Sequence, residues 1–144
     1  MGRVLLNPVG DFYTNLAQTC VDAGCSVDIF LFPSSYVDLA TIAEVPKITG
    51  GHIFKYTCFQ ADLHGEQFLS DLSRAVARPR AFDAVLRVRT STGTRPVDFL
   101  GRHLMRNTTD VELACIDDES CPVTVEIKHD DKLSEGDIVY IQDK

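Results

Sequence analysis

Two arginines that stand two positions apart, Arg87 and Arg89, are the residues of this sequence best suited to binding a ligand. They fall in a stretch of alternating polar and apolar residues, which predicts a β-strand, and side chains two positions apart on a strand share one face. Arg95 follows after a turn and would enter from the next strand. Guanidinium groups pair with carboxylates through two parallel hydrogen bonds, so this set suits an acidic peptide. An acid of the chain itself, such as Glu112 or Glu126, would pair with the arginines equally well and stabilise the sheet.

The sequence lacks the patterns of residues that catalysis or metal binding requires. The histidines are scattered, and none is spaced from another metal ligand as on one helix face: His52, His64, His103 and His129. The run His129-Asp130-Asp131 is typical of a solvated turn. There is no nucleophile elbow, no glycine-rich phosphate loop and no Cys-x-x-Cys among five cysteines. We therefore expect no enzymatic activity, no metal site and no cofactor in this chain.

The charges are distributed very unevenly along the 144 residues, although their sum is only −7. Residues 1–73 hold three basic and eight acidic side chains, residues 74–106 hold eight arginines and two aspartates, and residues 107–144 hold three lysines and eleven acids. The acidic total argues against a nucleic-acid partner. The arginine block between acidic flanks indicates either internal charge complementarity or a site for acidic partners. No apolar run approaches the roughly 18 residues that span a bilayer, and no targeting signal is recognisable at the start.

The first half of the sequence predicts alternating helices and strands. In order these are a helix after Asp11 that ends at Gly24, a strand at 25–32, a helix at 37–45 that ends before Pro46, a strand at 52–56 and a helix at 66–76. This order predicts parallel strands with crossover helices. Helical spacing predicts two buried stripes, one of Phe12, Leu16, Cys20 and Ala23 and one of Phe68, Leu69, Leu72 and Val76.

After Pro79 the apolar period changes to two, which predicts an antiparallel β-sandwich. In the first strand Phe82, Ala84, Leu86 and Val88 face one way, opposite the arginines. A hairpin turn predicted at 91–93 leads to a second strand, and further strands are predicted at 111–115, 123–128 and 138–141. The fold class is therefore α/β followed by all-β.

Five stretches of the sequence, in order through residues 11–133, closely resemble the Sec-twenty-four family, the cargo-adaptor subunit of the COPII inner coat: DFYTNLAQTC, GCSVDIFLFPSSYVDLATIAEVPKITGGHIFKY, FDAVLRVRTSTGTRPVDFLG, NTTDVELA and VTVEIKHDDKL. The vertebrate C and D types are the most similar. The resemblance implies that residues 1–78 are the later half of a trunk domain, whose fold is like von Willebrand factor A. It implies that residues 79–144 belong to a β-sandwich or β-barrel. The zinc finger of the family would lie outside this chain.

The resemblance also implies a function and a set of partners. The expected protein is cytoplasmic and peripheral on endoplasmic reticulum exit sites and COPII vesicles, where it pairs with the GTPase-activating subunit of the same coat. It would bind the cytosolic tails of membrane cargo and SNARE proteins and contact the membrane peripherally. Acidic cargo signals in the family bind arginines of a segment similar to LRVRTSTG, which assigns this role to Arg87 and Arg89. The alternative is a metal-dependent von Willebrand A adhesion or hydrolase module, although its Asp-x-Ser-x-Ser motif is absent.

Overall fold

The chain, seen in a computed structural model that describes residues 6–118, 122–130, 132 and 134–143, follows the predicted change from α/β to all-β. The first half contains α1 (Phe12–Asp22), β1 (Ile29–Leu31), α2 (Leu39–Ile42), α3 (Glu44–Thr49), β2 (Ile53–Lys55) and α4 (Ala61–Ala77). The second half contains β3 (Arg80–Thr90), β4 (Thr94–Leu100), β5 (Leu104–Met105), β6 (Asp110–Asp117), β7 (Thr124–His129) and β8 (Ile141–Asp143). The predicted fold class is confirmed. Among the described residues, no helix has the length and apolar composition needed to cross a membrane.

The first half is built on two parallel strands, as predicted, although both strands are shorter than predicted. Ile29 of β1 lies opposite Ile53 of β2, and α2 and α3 form the crossover between them. Gly50 ends α3 in the left-handed conformation (φ 72°), which glycine adopts without a steric penalty. Aromatic rings cover the sheet: Phe30 stacks on Phe54 with ring centroids 4.6 Å apart, and Phe68 of α4 meets Phe30 edge to face.

The prediction of which face of α1 is buried was wrong. Phe12 is 70% exposed and Leu16 is also exposed, whereas Ala17 and Val21 are buried. The helix packs against α3 and β6 through small side chains, which allow close approach between backbones. The core cluster here consists of Ala17, Val21, Val45, Ile48, Leu104 and Ala114. Of the predicted stripe, only Cys20 is partly covered.

The predicted end of a helix before Pro46 was also wrong. Pro46 lies in the first turn of α3, where backbone N–H groups have no partner within the helix, so a proline is tolerated there. The preceding helix α2 is separate and is capped by Asp38, whose carboxylate accepts a 3.2 Å hydrogen bond from the Thr41 amide. Two short helices therefore replace the single helix predicted at 37–45.

Helix α4 is longer than predicted, and half of its predicted buried stripe is exposed. Leu69 and Val76 (78% exposed) face solvent, while Ala75 is buried. Two contacts with Tyr56 set the orientation of the helix. The Phe68 ring packs edge to face against the Tyr56 ring, and the Tyr56 hydroxyl donates a 2.7 Å hydrogen bond to the Asp71 carboxylate. These contacts rotate the helix away from the face that apolar spacing alone would bury.

The second half consists of antiparallel sheets that share one core. One sheet has the strand order β5-β6-β3-β8, and the other pairs β4 with β7. Buried Phe99, Val111 and Leu113 form the centre of the core, and further side chains from both sheets pack against them: Ala84, Leu86, Val88, Met105, Ile116, Val123 and Val125. The predicted alternation in β3 is confirmed from Ala84 onward.

Three details of the β region differ from prediction. Phe82 is exposed rather than buried, because Asp83 adopts a positive φ of 54° and breaks the alternation just before Ala84. The turn at 91–93 forms, but it does not close a hairpin. It joins β3 to β4, and these two strands belong to different sheets. The last strand is at Ile141–Asp143 instead of 138–141. The Ser91 amide donates a hydrogen bond to the Tyr140 carbonyl, and the Tyr140 amide donates one to the Ser91 hydroxyl, so Tyr140 is held at the turn.

Candidate functional site

The outward face of β3 carries Arg87, which is bound by an acid of the chain itself. Its Nε donates to Asp110 Oδ1 at 2.5 Å and its Nη2 donates to Oδ2 at 2.7 Å. Asp110 begins β6 directly opposite Arg87, so the antiparallel register brings the two side chains together. The hydrogen bonds from Arg87 hold the pKa of Asp110 below its usual range, and Asp110 raises the pKa of Arg87. The Arg87 side chain remains 47% exposed.

A short loop before β6 positions the Asp110 carboxylate. The Asn107 side-chain carbonyl accepts hydrogen bonds from the amides of Thr109 (2.9 Å) and Asp110 (2.7 Å). The Asn107 side-chain amide donates to Asp110 Oδ2 at 3.2 Å. Glu112 and Glu126 were the internal acids named as examples from the sequence, and the partner in the structure is Asp110, because the strand register decides which acid lies opposite Arg87.

Arg89 lies on the same face of β3 and is exposed. Its backbone neighbour across the ladder is Gln142 of β8, which carries no charge. Within the part of the chain that the structure describes, no hydrogen bond or ion pair engages the Arg89 side chain. The pair on β3 therefore combines one arginine held by an internal acid with one whose donors face solvent.

Arg95 is placed apart from this pair, on the β4–β7 sheet. Its Nε lies 2.8 Å from Asp130 Oδ1 and 2.9 Å from Oδ2, and both side chains are about half exposed. Asp130 belongs to the run predicted as a solvated turn, while Asp131 lies outside the described residues. The structure thus brings Arg87 and Arg89 onto one face and gives Arg95 an acid of its own.

The arginine block as a whole shows strong internal charge complementarity. Among the described residues, ion pairs join five of its arginines to acids of the two flanking blocks: Arg78 with Asp117, Arg80 with Asp28, Arg87 with Asp110, Arg95 with Asp130 and Arg106 with Asp22. Arg89 and Arg102 make no hydrogen bond or ion pair with any described residue. With respect to the described residues, these two therefore keep all of their guanidinium donors available.

A buried charge cluster joins the two halves of the chain and fixes the start of β3. Arg80 Nη2 donates to Asp28 Oδ2 at 2.7 Å, and Arg78 Nη1 donates to Asp117 Oδ2 at 3.1 Å. The His52 amide donates to Asp28 Oδ1 at 2.7 Å. Burial acts to raise the pKa of Asp28, but the hydrogen bonds from Arg80 and the His52 amide outweigh it and hold this pKa below its usual range. Nothing in the local sequence pattern indicated this cluster, because its members come from distant segments.

Comparison with known proteins places both halves in one family. The model of the Sec23/Sec24 trunk domain matches residues 3–76, and the model of the Sec23/Sec24 beta-sandwich domain matches residues 81–143. Two human relatives, Protein transport protein Sec24C and Protein transport protein Sec24D, are 55% and 53% identical to the chain over 140 residues. The plant relative SEC24 B of Arabidopsis thaliana is 36% identical over 132 residues, which is 92% of this chain and 12% of that protein.

A solved structure agrees with the sequence relatives. The human COPII-coat protein Sec24c superimposes with a TM-score of 0.90 at 53% identity, over 97% of this chain and 18% of that chain. The match to the two human relatives covers 97% of this chain but only 13% and 14% of their length. The chain therefore belongs to the Sec23/Sec24 family, and its likeness favours the C and D types of Sec24.

Proposed function

We propose that this chain is part of a COPII coat component that selects membrane cargo at the endoplasmic reticulum for transport to the Golgi, and that it does so by binding and not by catalysis. The proposal is supported by 55% identity to a protein named for protein transport and by the likeness to a COPII-coat protein. The observation that carries the binding site is the face of β3, where exposed Arg89 stands beside Arg87.

The chemistry of this face suits an acidic export signal. Arg87 and Arg89 are two positions apart on the strand, so their Cα atoms are about 7 Å apart and the guanidinium groups can meet carboxylates of one extended peptide. A guanidinium group has N–H donors on three nitrogens. Asp110 engages Nε and Nη2 of Arg87, which leaves Nη1 for a ligand while the side chain is held in place. Arg89 supplies the second guanidinium group for the peptide.

The wider context follows from membership of the coat. The residues 1–78 would be the later half of the trunk domain and residues 79–144 part of the β-sandwich. The partners would be the GTPase-activating subunit of the same coat and the cytosolic tails of membrane cargo and SNARE proteins. The component would be cytoplasmic, with peripheral contact to the membrane at exit sites. Binding of one signal should be weak, because a coat gains strength from many simultaneous contacts.

Replacing both Arg87 and Arg89 with alanine should weaken the binding of acidic signal peptides roughly tenfold or more, because two charge-assisted contacts are lost. The measurement is fluorescence polarisation with labelled acidic peptides. Binding to the unmodified protein should also weaken as salt rises, since partly exposed charges are screened within about 10 Å at 0.1 M.

The matched control for this double variant is Arg95→Ala with Lys128→Ala. These two residues are cross-strand neighbours on the β4–β7 sheet, so the control removes the same charge from the same kind of strand surface. The control should bind the peptides as the unmodified protein does. Equal affinity of the Arg87→Ala, Arg89→Ala variant and the unmodified protein for several acidic peptides would overturn the proposed site.

A further inference from the structure

The end of helix α1 brings two cysteines together. Gly24 has a φ of 62°, and its amide donates a hydrogen bond to the Val21 carbonyl at 2.9 Å. The next amide, that of Cys25, donates to the Cys20 carbonyl at 2.8 Å. These two hydrogen bonds define a Schellman motif, a turn with which many helices end. The side chains of the two residues joined by its outer hydrogen bond, here Cys20 and Cys25, commonly make contact.

The hydrogen bond between Cys20 and Cys25 limits how far apart the two residues can be. Standard bond lengths and the N–O distance of 2.8 Å keep the two Cα atoms within about 7 Å, and the bond angles bring them closer. Disulfides join cysteines whose Cα atoms are about 4.4–6.8 Å apart. The Cys25 sulfur is directed back to the helix end, where it donates a 3.5 Å hydrogen bond to the Ala23 carbonyl. The separation is therefore compatible with a disulfide that leaves the turn intact.

The thiols of this pair are free in the structure and can be reached from solvent. Cys25 is exposed and Cys20 is partly exposed. Cys115, by contrast, is buried, and Cys121 lies outside the described residues. Cys58 is exposed, but it belongs to the loop between β2 and α4. Exchange with a small disulfide requires an accessible thiol, so Cys25, the more exposed of the pair, is expected to react first.

We propose that Cys20 and Cys25 form a redox-sensitive dithiol, which a low-molecular-weight disulfide such as oxidised glutathione converts into an intramolecular disulfide. The Cys25 thiolate attacks one sulfur of the oxidant, so that a mixed disulfide forms and the first glutathione leaves. The Cys20 thiolate then attacks the Cys25 sulfur and expels the second glutathione. The cysteines lose two electrons and two protons, and the oxidant gains both, so it is released as two molecules of reduced glutathione.

The disulfide closes a ring across the last turn of α1 and holds that turn in place. This turn carries Val21, which is buried in the core, and Asp22, which pairs with Arg106 just after β5. Oxidation therefore fixes a contact between the first and second halves of the chain. In a reducing compartment such a bond is transient, so the pair responds to a change in redox poise. The proposal does not depend on the cargo-binding role.

The first arm of the test identifies the product of oxidation. The chain is treated with oxidised glutathione, the remaining thiols are alkylated, and tryptic peptides are analysed by mass spectrometry. Trypsin releases residues 4–47 as one peptide, whose only cysteines are Cys20 and Cys25. In the unmodified chain this peptide should lack two hydrogen atoms and carry neither glutathione nor the alkylating group.

Two serine variants complete this arm. Cys20→Ser should keep glutathione on Cys25, because the neighbouring thiol that displaces it is gone. The control Cys58→Ser removes an exposed thiol elsewhere and should form the same disulfide as the unmodified chain. The proposal is overturned if Cys25 of the unmodified chain retains glutathione as it does in Cys20→Ser, or if it pairs with a cysteine other than Cys20.

The second arm measures the equilibrium between dithiol and disulfide in glutathione buffers, for the folded chain and for the chain unfolded in urea. The folded chain should favour the disulfide roughly tenfold more, because the turn holds the two cysteines together before the bond forms. Equal equilibria for the folded and unfolded chains would show that the helix end does not bring the thiols together, and the proposal would then be wrong.

Discussion

Replacing Asp117 with alanine is expected to lower the free energy of unfolding by about 3 kcal/mol, because it removes the fully buried carboxylate that pairs with Arg78. The Asp117 side chain is 0% exposed and that of Arg78 only 5%, and the two are joined by a 3.1 Å ion pair. Asp118 also approaches Arg78, at 3.4 Å, but from an exposed position that gives it little strength as a substitute. Urea unfolding followed by circular dichroism measures the change.

A surface aspartate provides the control for this prediction. Asp143 lies in the exposed edge strand β8, and Asp143→Ala should change the free energy of unfolding by no more than about 0.5 kcal/mol. The double variant Arg78→Met with Asp117→Ala should be less destabilised than the sum of the two single variants, since it removes both members of the pair. An effect of Asp117→Ala as small as that of Asp143→Ala would show that the charge cluster does not hold the two halves together.

Alanine at Gly51 is expected to destabilise the protein by about 3 kcal/mol, because the added methyl group cannot be accommodated without moving backbone. A Cβ at this position would lie 2.0 Å from the Val27 carbonyl oxygen and 2.6 Å from its carbon. Both are main-chain atoms of the segment that leads into β1. The segments that lead into β1 and β2 would therefore have to move apart. The adjacent residue His52 bonds Asp28, and the displacement would therefore reach the charge cluster.

Alanine in place of a glycine inside a helix should instead raise the free energy of unfolding. Gly65 lies inside α4, and a Cβ there would meet no atom within 4 Å. Gly65→Ala should therefore stabilise the protein by about 0.5–1 kcal/mol, the helix propensity difference between the residues. Thermal melting of both variants measures this contrast. A stability of Gly51→Ala equal to that of the unmodified chain would contradict the close approach seen at Val27.

The sequence predicted the type and order of most elements, but it predicted burial poorly. Period-two alternation indicated β3 and placed Arg87 and Arg89 on its outer face, as observed. Helical periodicity indicated α1 and α4, yet Phe12 and Val76 are exposed. Periodicity locates an apolar stripe, whereas the buried face depends on which element packs against the helix. For α4 that choice is made by contacts of Phe68 and Asp71 with distant residues.

The candidate site was only partly accessible to sequence reasoning, for the same reason. The charge blocks predicted that arginines and acids would meet, and five ion pairs confirm internal complementarity. The particular partners of Arg87 and Arg80 were not predictable, because Asp110 and Asp28 are fixed by strand register and by the crossing of segments far apart in sequence. The distinction between arginines that pair with an acid of the chain and arginines that do not emerges only from the fold.

The most direct test of the cargo-binding role is a charge exchange at Arg89. One fluorescence-polarisation experiment compares the unmodified protein with Arg89→Glu, using an acidic signal peptide and the same peptide with its acids replaced by lysine. Direct pairing predicts that Arg89→Glu loses affinity for the acidic peptide and binds the lysine peptide more tightly than the unmodified protein does. If Arg89→Glu binds the acidic peptide as tightly as the unmodified protein, Arg89 does not contact the signal and the account of this face is wrong.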